Sequence, residues 1–296
     1  MIDRRRLLLS GLGGAGIAGI GGLGAAYQLV QHDVLPGKVR LDKALGRCGD
    51  LPQIPAETAA VRRERFRSRA RGRHVEMRLV TPARAELRGL PVVVVLHGLN
   101  GSAATVSDLR VDRFLAHAVA TGTRPFAIVG VDGGDTYWHR RASGDDPERM
   151  IVEEVLPRLR ALGLRTERIG LLGWSMGGYG ALLMAGRLGP GRVAAVAASS
   201  PALFRSHEAA RGAYRGSFDD AGDFARNDVM ADLGRLSGVP LWIDCGRSDP
   251  FAATTERLRA RIRPKAAGGM FRGCHDGAYW ARRAPSHLEF LARRLR

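Results

Sequence analysis

The sequence predicts an α/β fold, with a mostly parallel central sheet and helices on both faces. Three observations carry that expectation. The runs Pro91-Val92-Val93-Val94-Val95-Leu96 and Phe126-Ala127-Ile128-Val129-Gly130-Val131 are apolar without alternation, as strands buried on both faces must be. Segments of helical periodicity, Val106 to Ala120 and Pro147 to Leu162, follow each of them. A third apolar run, Arg168 to Gly173, enters a tight glycine-flanked turn and then a helix. Strands that alternate with helices in this way build a parallel sheet.

The chain opens with Asp3-Arg4-Arg5-Arg6, and from Leu7 to Gln31 it carries no charge. A basic start before an apolar, glycine-rich stretch reads as a Tat-like export signal over residues 1–31, with Gly24-Ala25-Ala26 as a candidate cleavage site. The run is also long enough to stay as an N-terminal membrane anchor. Glycines 11, 13 and 16 match a dinucleotide fingerprint, but no strand precedes them, so the match is discounted. Residues 32–72, with Pro36, Pro52 and Pro55, read as an arm or linker, and residues 73–296 as one catalytic-sized domain.

Within that domain His74 to Thr81 is an early strand. After the turn at 173–178 come strands at Val193 to Ala198, Pro240 to Cys245 and Gly268 to Phe271, and a closing helix over Arg282 to Leu295. Residues 202–236 break the alternation and are expected as a small lid or excursion beside the site.

The formal charge is +17, nearly all of it arginine, since Lys occurs only at 38, 43 and 265. The arginines are scattered apart from short runs such as Arg62-Arg63, and no nucleic-acid-binding motif is present, so no nucleic-acid partner is expected. Biased codon usage accounts for the balance, and association with an anionic cell envelope is the functional alternative. The cysteines are Cys48, Cys245 and Cys274, with no C-x-x-C and no metal-ligand spacing. Neither a metal nor a cofactor is therefore expected.

The chemistry centres on Gly173-Trp174-Ser175-Met176-Gly177-Gly178. A serine in a sharp turn between strand and helix is a nucleophile elbow, which makes the expected architecture an α/β-hydrolase fold. The turn lifts the hydroxyl above the sheet, and the glycines at 173 and 177 let strand and helix pass closely. In this fold the acid and then the base follow the serine in the chain. Of His207, His275 and His287, only His275 follows the last expected strand in a turn. Asp249 lies just past the end of the preceding strand and is the candidate acid, whereas Asp244 sits inside that strand and suits a structural role. The oxyanion donors are then the amide of Met176 and that of Leu99, in the turn His97-Gly98-Leu99-Asn100-Gly101. His97 itself suits a structural role in that turn.

Asp132 to His139 follows a strand's carboxyl end, where ligands bind in open α/β sheets. Tyr137 and Trp138, with Trp174 from the elbow, are candidates for a wall of the substrate pocket. The alternative for this loop is structural, with a buried Trp. For the cysteines the leading reading is that Cys245 and Cys274 pack as free thiols. The alternative is a Cys245–Cys274 disulfide tying the acid loop to the base loop, and Cys48 has no evident partner.

His97-Gly98-Leu99, the elbow through Gly180, Asp249-Pro250-Phe251, and His275-Asp276 with Tyr279-Trp280 together resemble the esterase D and antigen 85 family. The resemblance covers about residues 75–295 and is nearest to the exported actinobacterial esterases. It implies an exported serine esterase acting on a small-molecule or lipid ester, with Ser175, Asp249, His275, Leu99 and Met176 in the roles above. Antigen 85 enzymes carry Asp-Gly-Leu-Arg where this chain has His97-Gly98-Leu99-Asn100, and Glu in place of Asp249. Those departures favour ester hydrolysis over acyl transfer to a sugar or lipid hydroxyl, the second expectation. A third, a non-catalytic envelope-binding protein, is opposed by the complete Ser175, Asp249, His275 set.

Overall fold

The computed structural model describes residues 38–295 apart from Arg84. The expected export signal or anchor at 1–31, its cleavage site and the discounted glycine match lie outside these residues. The chain falls into two compact units, Met1–Gly46 and Arg47–Arg296. In the first, Lys38–Ala44 forms a short helix, α1. Among the described residues no helix is long and apolar enough to cross a membrane.

The second unit is an eight-stranded sheet in the order β1-β2-β4-β3-β5-β6-β7-β8. The strands are β1 (Ala60–Ser68), β2 (Arg73–Thr81), β3 (Pro91–Leu96), β4 (Ala127–Val131), β5 (Arg165–Trp174), β6 (Val193–Ser199), β7 (Leu241–Gly246) and β8 (Met270–Phe271). β1 runs antiparallel to β2, and β2 antiparallel to β4. Every other pairing is parallel. The expected fold class is therefore borne out. The sheet begins earlier than the expected boundary at 73. β1 lies in the segment read as an arm, and its Ala-Val-Arg-Arg-Glu-Arg-Phe-Arg-Ser sequence buries only Phe66 and Ser68, too little apolar signal to declare a strand.

Alternation along β3 splits the core into two layers. Val92, Val94 and Leu96 face one layer with Met150, Ile151, Leu159 and Leu182. Val93 and Val95 face the other, with Phe114, Leu115, Leu288 and Leu291. The helix expected over 106–120 is two, α2 (Thr105–Asp108) and α3 (Val111–Ala120), broken where Arg110 takes a positive φ of 59°. The helix expected over 147–162 runs from α4 (Pro147–Arg149) through a π-helical Met150–Val155 to α5 (Leu156–Ala161). The elbow helix is α6 (Met176–Leu188).

The excursion after β6 holds α7 (His207–Ala213), α8 (Ala221–Asn227) and a 3-10 turn, Leu233–Leu236. It is pinned to the domain by buried polar ties. His139 Nε2 lies 3.0 Å from Asp223 Oδ2, and the Tyr179 hydroxyl donates to the Asn227 carbonyl at 2.7 Å. Burial holds the His139 imidazole below its ordinary pKa. After β7 comes α9 (Ala252–Arg261), and the chain closes on α10 (Gly277–Ala292). The last helix starts before the expected Arg282 because Asp276 caps it, accepting from the Tyr279 amide at 2.8 Å.

Candidate active site

Ser175 sits between β5 and α6 with φ 57° and ψ −121°, a conformation an L-residue holds only where its surroundings fix it. The surroundings do so here. The Ser175 amide donates to the Ser199 carbonyl at 3.1 Å, and its own carbonyl accepts from Tyr179 at 3.0 Å and Ala202 at 2.9 Å. The flanking glycines are required by space. A Cβ on Gly177 would lie 1.9 Å from the Leu96 carbonyl oxygen, and one on Gly173 would lie 2.1 Å from that of Gly177.

Three of the predicted residues converge. Ser175 Oγ is 2.9 Å from His275 Nε2, and His275 Nδ1 is 2.8 Å from Asp249 Oδ2. An ionised carboxylate only accepts, so Nδ1 carries the ring proton and Nε2 faces the serine as an acceptor. The Asp249 side chain is fully buried, while 22% of the His275 side chain reaches solvent. The other Asp249 oxygen accepts from the Phe251 amide at 2.8 Å. The acid and base loops are joined by backbone bonds: Arg247 donates to the Phe271 carbonyl at 2.8 Å and Ser248 to that of Gly273 at 2.9 Å.

Met176 is the first residue of α6, where an amide has no intrahelical acceptor. The turn carrying Leu99 abuts the serine, since a Cβ on Gly98 would stand 3.5 Å from Ser175 Cβ. The Asn100 amide is held by Asp135 at 2.7 Å. His97 is buried and bound at both ring nitrogens by backbone: Nε2 accepts from Gly133 at 3.0 Å, and Nδ1 lies 2.7 Å from the Gly98 carbonyl. Burial keeps its pKa low. It supports the turn and does not face the serine's partners.

The three pocket-wall candidates are placed elsewhere. Trp138 is fully buried. Its ring fills the space over Gly133 and Gly180, where added Cβ atoms would come within 2.3 and 2.6 Å of it. Its Nε1 donates to the His97 carbonyl at 3.1 Å. Trp174 is buried in the core layer with Val95 and Leu288. Tyr137 is buried among Tyr179, Phe204, Tyr214 and Phe218, with ring centroids 5.5 to 6.5 Å away, and burial pushes its phenol up. All three are buried rather than lining an open wall, which corrects the substrate-binding expectation for them.

The half-exposed aromatics at the site are others. Phe251 lies 5.3 Å from the His275 ring, Trp280 5.1 Å from it edge-on, and Phe204 5.5 Å from Phe251. They are not among the pocket candidates read from the sequence; Phe251 and Trp280 stand close in sequence to Asp249 and His275, and that proximity is the signal that could have found them.

The cysteine expectations also change. Cys48 and Cys274 form a disulfide with Cα atoms 4.8 Å apart, and Cys245 is the buried free thiol, which desolvation pushes up in pKa. Cys274 is neither free nor bonded to Cys245. The bond ties residue 48, not the acid loop, to the residue before His275. Arg282 reinforces the attachment by donating to the carbonyls of Cys48, at 2.6 Å, and Asp50.

Asp244, rejected above as the acid, is a buried hub. It accepts from Ser199 Oγ at 2.6 Å, Trp242 Nε1 at 2.6 Å and the Tyr279 hydroxyl at 2.9 Å, and its Oδ2 lies 2.5 Å from His287 Nε2.

The family model described as "Putative esterase" matches residues 68–288. No curated protein matches the chain. Solved structures share the fold at low identity. A ferulic acid esterase has a TM-score of 0.68 at 20% identity, over 80% of this chain and 98% of that one. FphF, a fluorophosphonate-binding serine hydrolase of Staphylococcus aureus, has a TM-score of 0.65 at 18% identity, over 79% and 99%. Mycobacterium tuberculosis MPT51 (FbpC1) has a TM-score of 0.66 at 16% identity, over 81% and 100%.

Proposed function

Since the chain belongs to the esterase family, we propose that it hydrolyses carboxylic esters through an acyl-enzyme on Ser175. The observation that carries the reading is the continuous path Ser175 Oγ, His275 Nε2, His275 Nδ1, Asp249 Oδ2, with links of 2.9 and 2.8 Å. Ser175 Oγ attacks the ester carbonyl carbon while its proton passes to His275 Nε2. Asp249 holds the imidazolium by accepting from Nδ1. The amides of Leu99 and Met176 donate to the oxyanion that develops. Collapse of the tetrahedral intermediate releases the alcohol, which takes the proton from Nε2. Water then attacks the acyl carbonyl with His275 as base, freeing the acid and Ser175. Phe204, Phe251 and Trp280 border this path and suit an apolar substituent on the ester.

A fluorophosphonate probe tests the assignment. Labelling on Ser175, absent in Ser175→Ala, together with loss of turnover on p-nitrophenyl esters, is the expected result. Near-normal turnover in Ser175→Ala would refute it. A sugar acceptor that diverts product from free acid to a new ester would replace hydrolysis by acyl transfer.

The proposed site of action is outside the cytoplasm. Arg4 to Arg6 ahead of the uncharged 7–31 stretch supports export, as does the Cys48–Cys274 bond, a linkage that persists in oxidising compartments. Cell fractionation of the full chain, with Arg4 and Arg5 replaced by Lys in a second strain, tests this. Retention of the variant in the cytoplasm is the expected outcome.

A further inference from the structure

We propose that the outward face of the β1–β2 hairpin binds an anionic phospholipid surface through Arg63, Arg65 and Arg67. The strand sorts a locally arginine-rich stretch of sequence onto one face. Alternate residues of a strand share a face, so these three arginines stand in one row, about 7 Å apart. Opposite them on β2 lie Arg78, Glu76 and His74. The other side of the hairpin is core, with Phe66, Val75, Met77 and Leu79 buried. On the arginine side β2 contributes Val80 to the core and then turns polar, and Arg63, Arg65, Arg67 and His74 are exposed.

The row carries charge without local compensation. Glu76, facing Arg65, is taken by Arg78 at 2.6 Å, and Glu64 points to the other side, towards Arg158 at 3.7 Å. Among the described residues no carboxylate pairs with Arg63, Arg65 or Arg67. Arg63 is directly opposite Arg78, and like charges facing across strands destabilise a sheet. Charge on a terminal strand does discourage edge-to-edge pairing, but mixed signs achieve that without self-repulsion. A row of one sign on an uncovered face is complementary to a surface of the opposite sign.

The occupant follows from shape and position. The face is a two-stranded ribbon with no Phe, Tyr or Trp among its outward residues, so it lacks the large aromatic platforms on which bases stack. A sheet of phosphate headgroups makes no such demand. On the export reading proposed above, the uncharged 7–31 stretch, whether a leader or an anchor, would bring the chain to a membrane ahead of β1. The proposal does not depend on the esterase reading.

Flotation of the full chain with phosphatidylcholine vesicles, with and without phosphatidylglycerol, at low and high salt, provides the test. The ratio of the two partition coefficients removes any charge-independent contribution of the N-terminal stretch. The wild type should prefer the anionic vesicles and lose the preference in high salt. Replacing Arg63, Arg65 and Arg67 together by Gln should cut the ratio roughly a hundredfold, about fivefold for each arginine, with soluble-ester turnover unchanged and a melting temperature no lower than that of the wild type. The triple Lys variant should keep most of it. An equal ratio in the wild type and the Gln variant would overturn the proposal. Tighter binding to duplex DNA than to the anionic vesicles at matched salt would overturn it in favour of a nucleic-acid surface.

Discussion

Asp244 Oδ2 and His287 Nε2 lie 2.5 Å apart, and neither residue reaches solvent. A second carboxylate–imidazole pair thus exists in the domain, with no access for a substrate: Asp244 lies within β7 and His287 within α10, whereas Asp249 follows β7 and His275 precedes α10. Burial alone would raise the Asp244 carboxyl. The His287 charge and hydrogen bond, with the hydrogen bonds from Ser199 and Trp242, outweigh it and hold the pKa below the ordinary value.

The sign of the pH effect follows. A carboxyl whose folded pKa is depressed adds stability above its unfolded pKa of about 3.9 and loses it as pH falls through the folded value. Thermal melting should show wild type losing this contribution on the acid side of pH 4. Asp244→Asn should be destabilised at pH 6 by about 3 to 5 kcal/mol, as for a broken buried pair, with a correspondingly lower melting temperature, and should show a shallower further loss on acidification. Parallel curves for the two proteins would show that Asp244 is not ionised in the fold.

The two aspartates separate by kinetics. Asp249→Asn should keep the wild-type melting temperature to within a few degrees and lose about 10⁴ in kcat, because the histidine then favours the wrong tautomer. In Asp244→Asn the larger loss should be in stability. A folded Asp249→Asn enzyme with near-normal kcat would remove Asp249 from the mechanism.

Thiol counting on denatured, unreduced protein should find one free thiol, on Cys245. The Cys48–Cys274 bond spans 226 residues, and on the chain-entropy account closing a loop of this size is worth about 5 kcal/mol. Cys48→Ser should therefore lower the denaturant midpoint. Because Cys274 adjoins His275, mild reduction should reduce turnover at denaturant concentrations where circular dichroism still reports a folded domain. Loss of both signals together would make the bond a matter of stability alone.

Trp138→Ala and Phe251→Ala should behave in opposite ways. Removing the fully buried indole should cost about 3 to 5 kcal/mol and slow all esters alike. Phe251 is half-exposed beside His275, so its truncation should change the ranking of p-nitrophenyl esters by acyl length with little change in melting temperature. A chain-length shift in Trp138→Ala would return that residue to the pocket wall.

What could be read in the sequence depended on how local the determinant was. The elbow, the strand before it and the order of Ser175, Asp249 and His275 are set by short-range pattern and by the sheet's connectivity, and their meeting point was legible. The partner of Cys48 was not, because no periodicity fixes the path of residues 47–59. Tyr137, Trp138 and Trp174 were misplaced because a glycine beside an aromatic marks close packing as readily as an open wall. β1 was missed because its row of arginines belongs to an uncovered face, where no apolar alternation is required.

The missing space at Gly177, where a side-chain carbon would meet the Leu96 carbonyl at 1.9 Å, bears on how such sequences evolve. Gly173 and Gly177 are held by packing, whereas Ser175 is held by chemistry. A descendant that lost its activity could exchange the serine for another small residue that tolerates the positive φ of 57°, but it would still need both glycines to fold. In this lineage the glycine frame would therefore outlive the reaction, and a relative with the frame intact and another residue at 175 would be a fold inherited without its function.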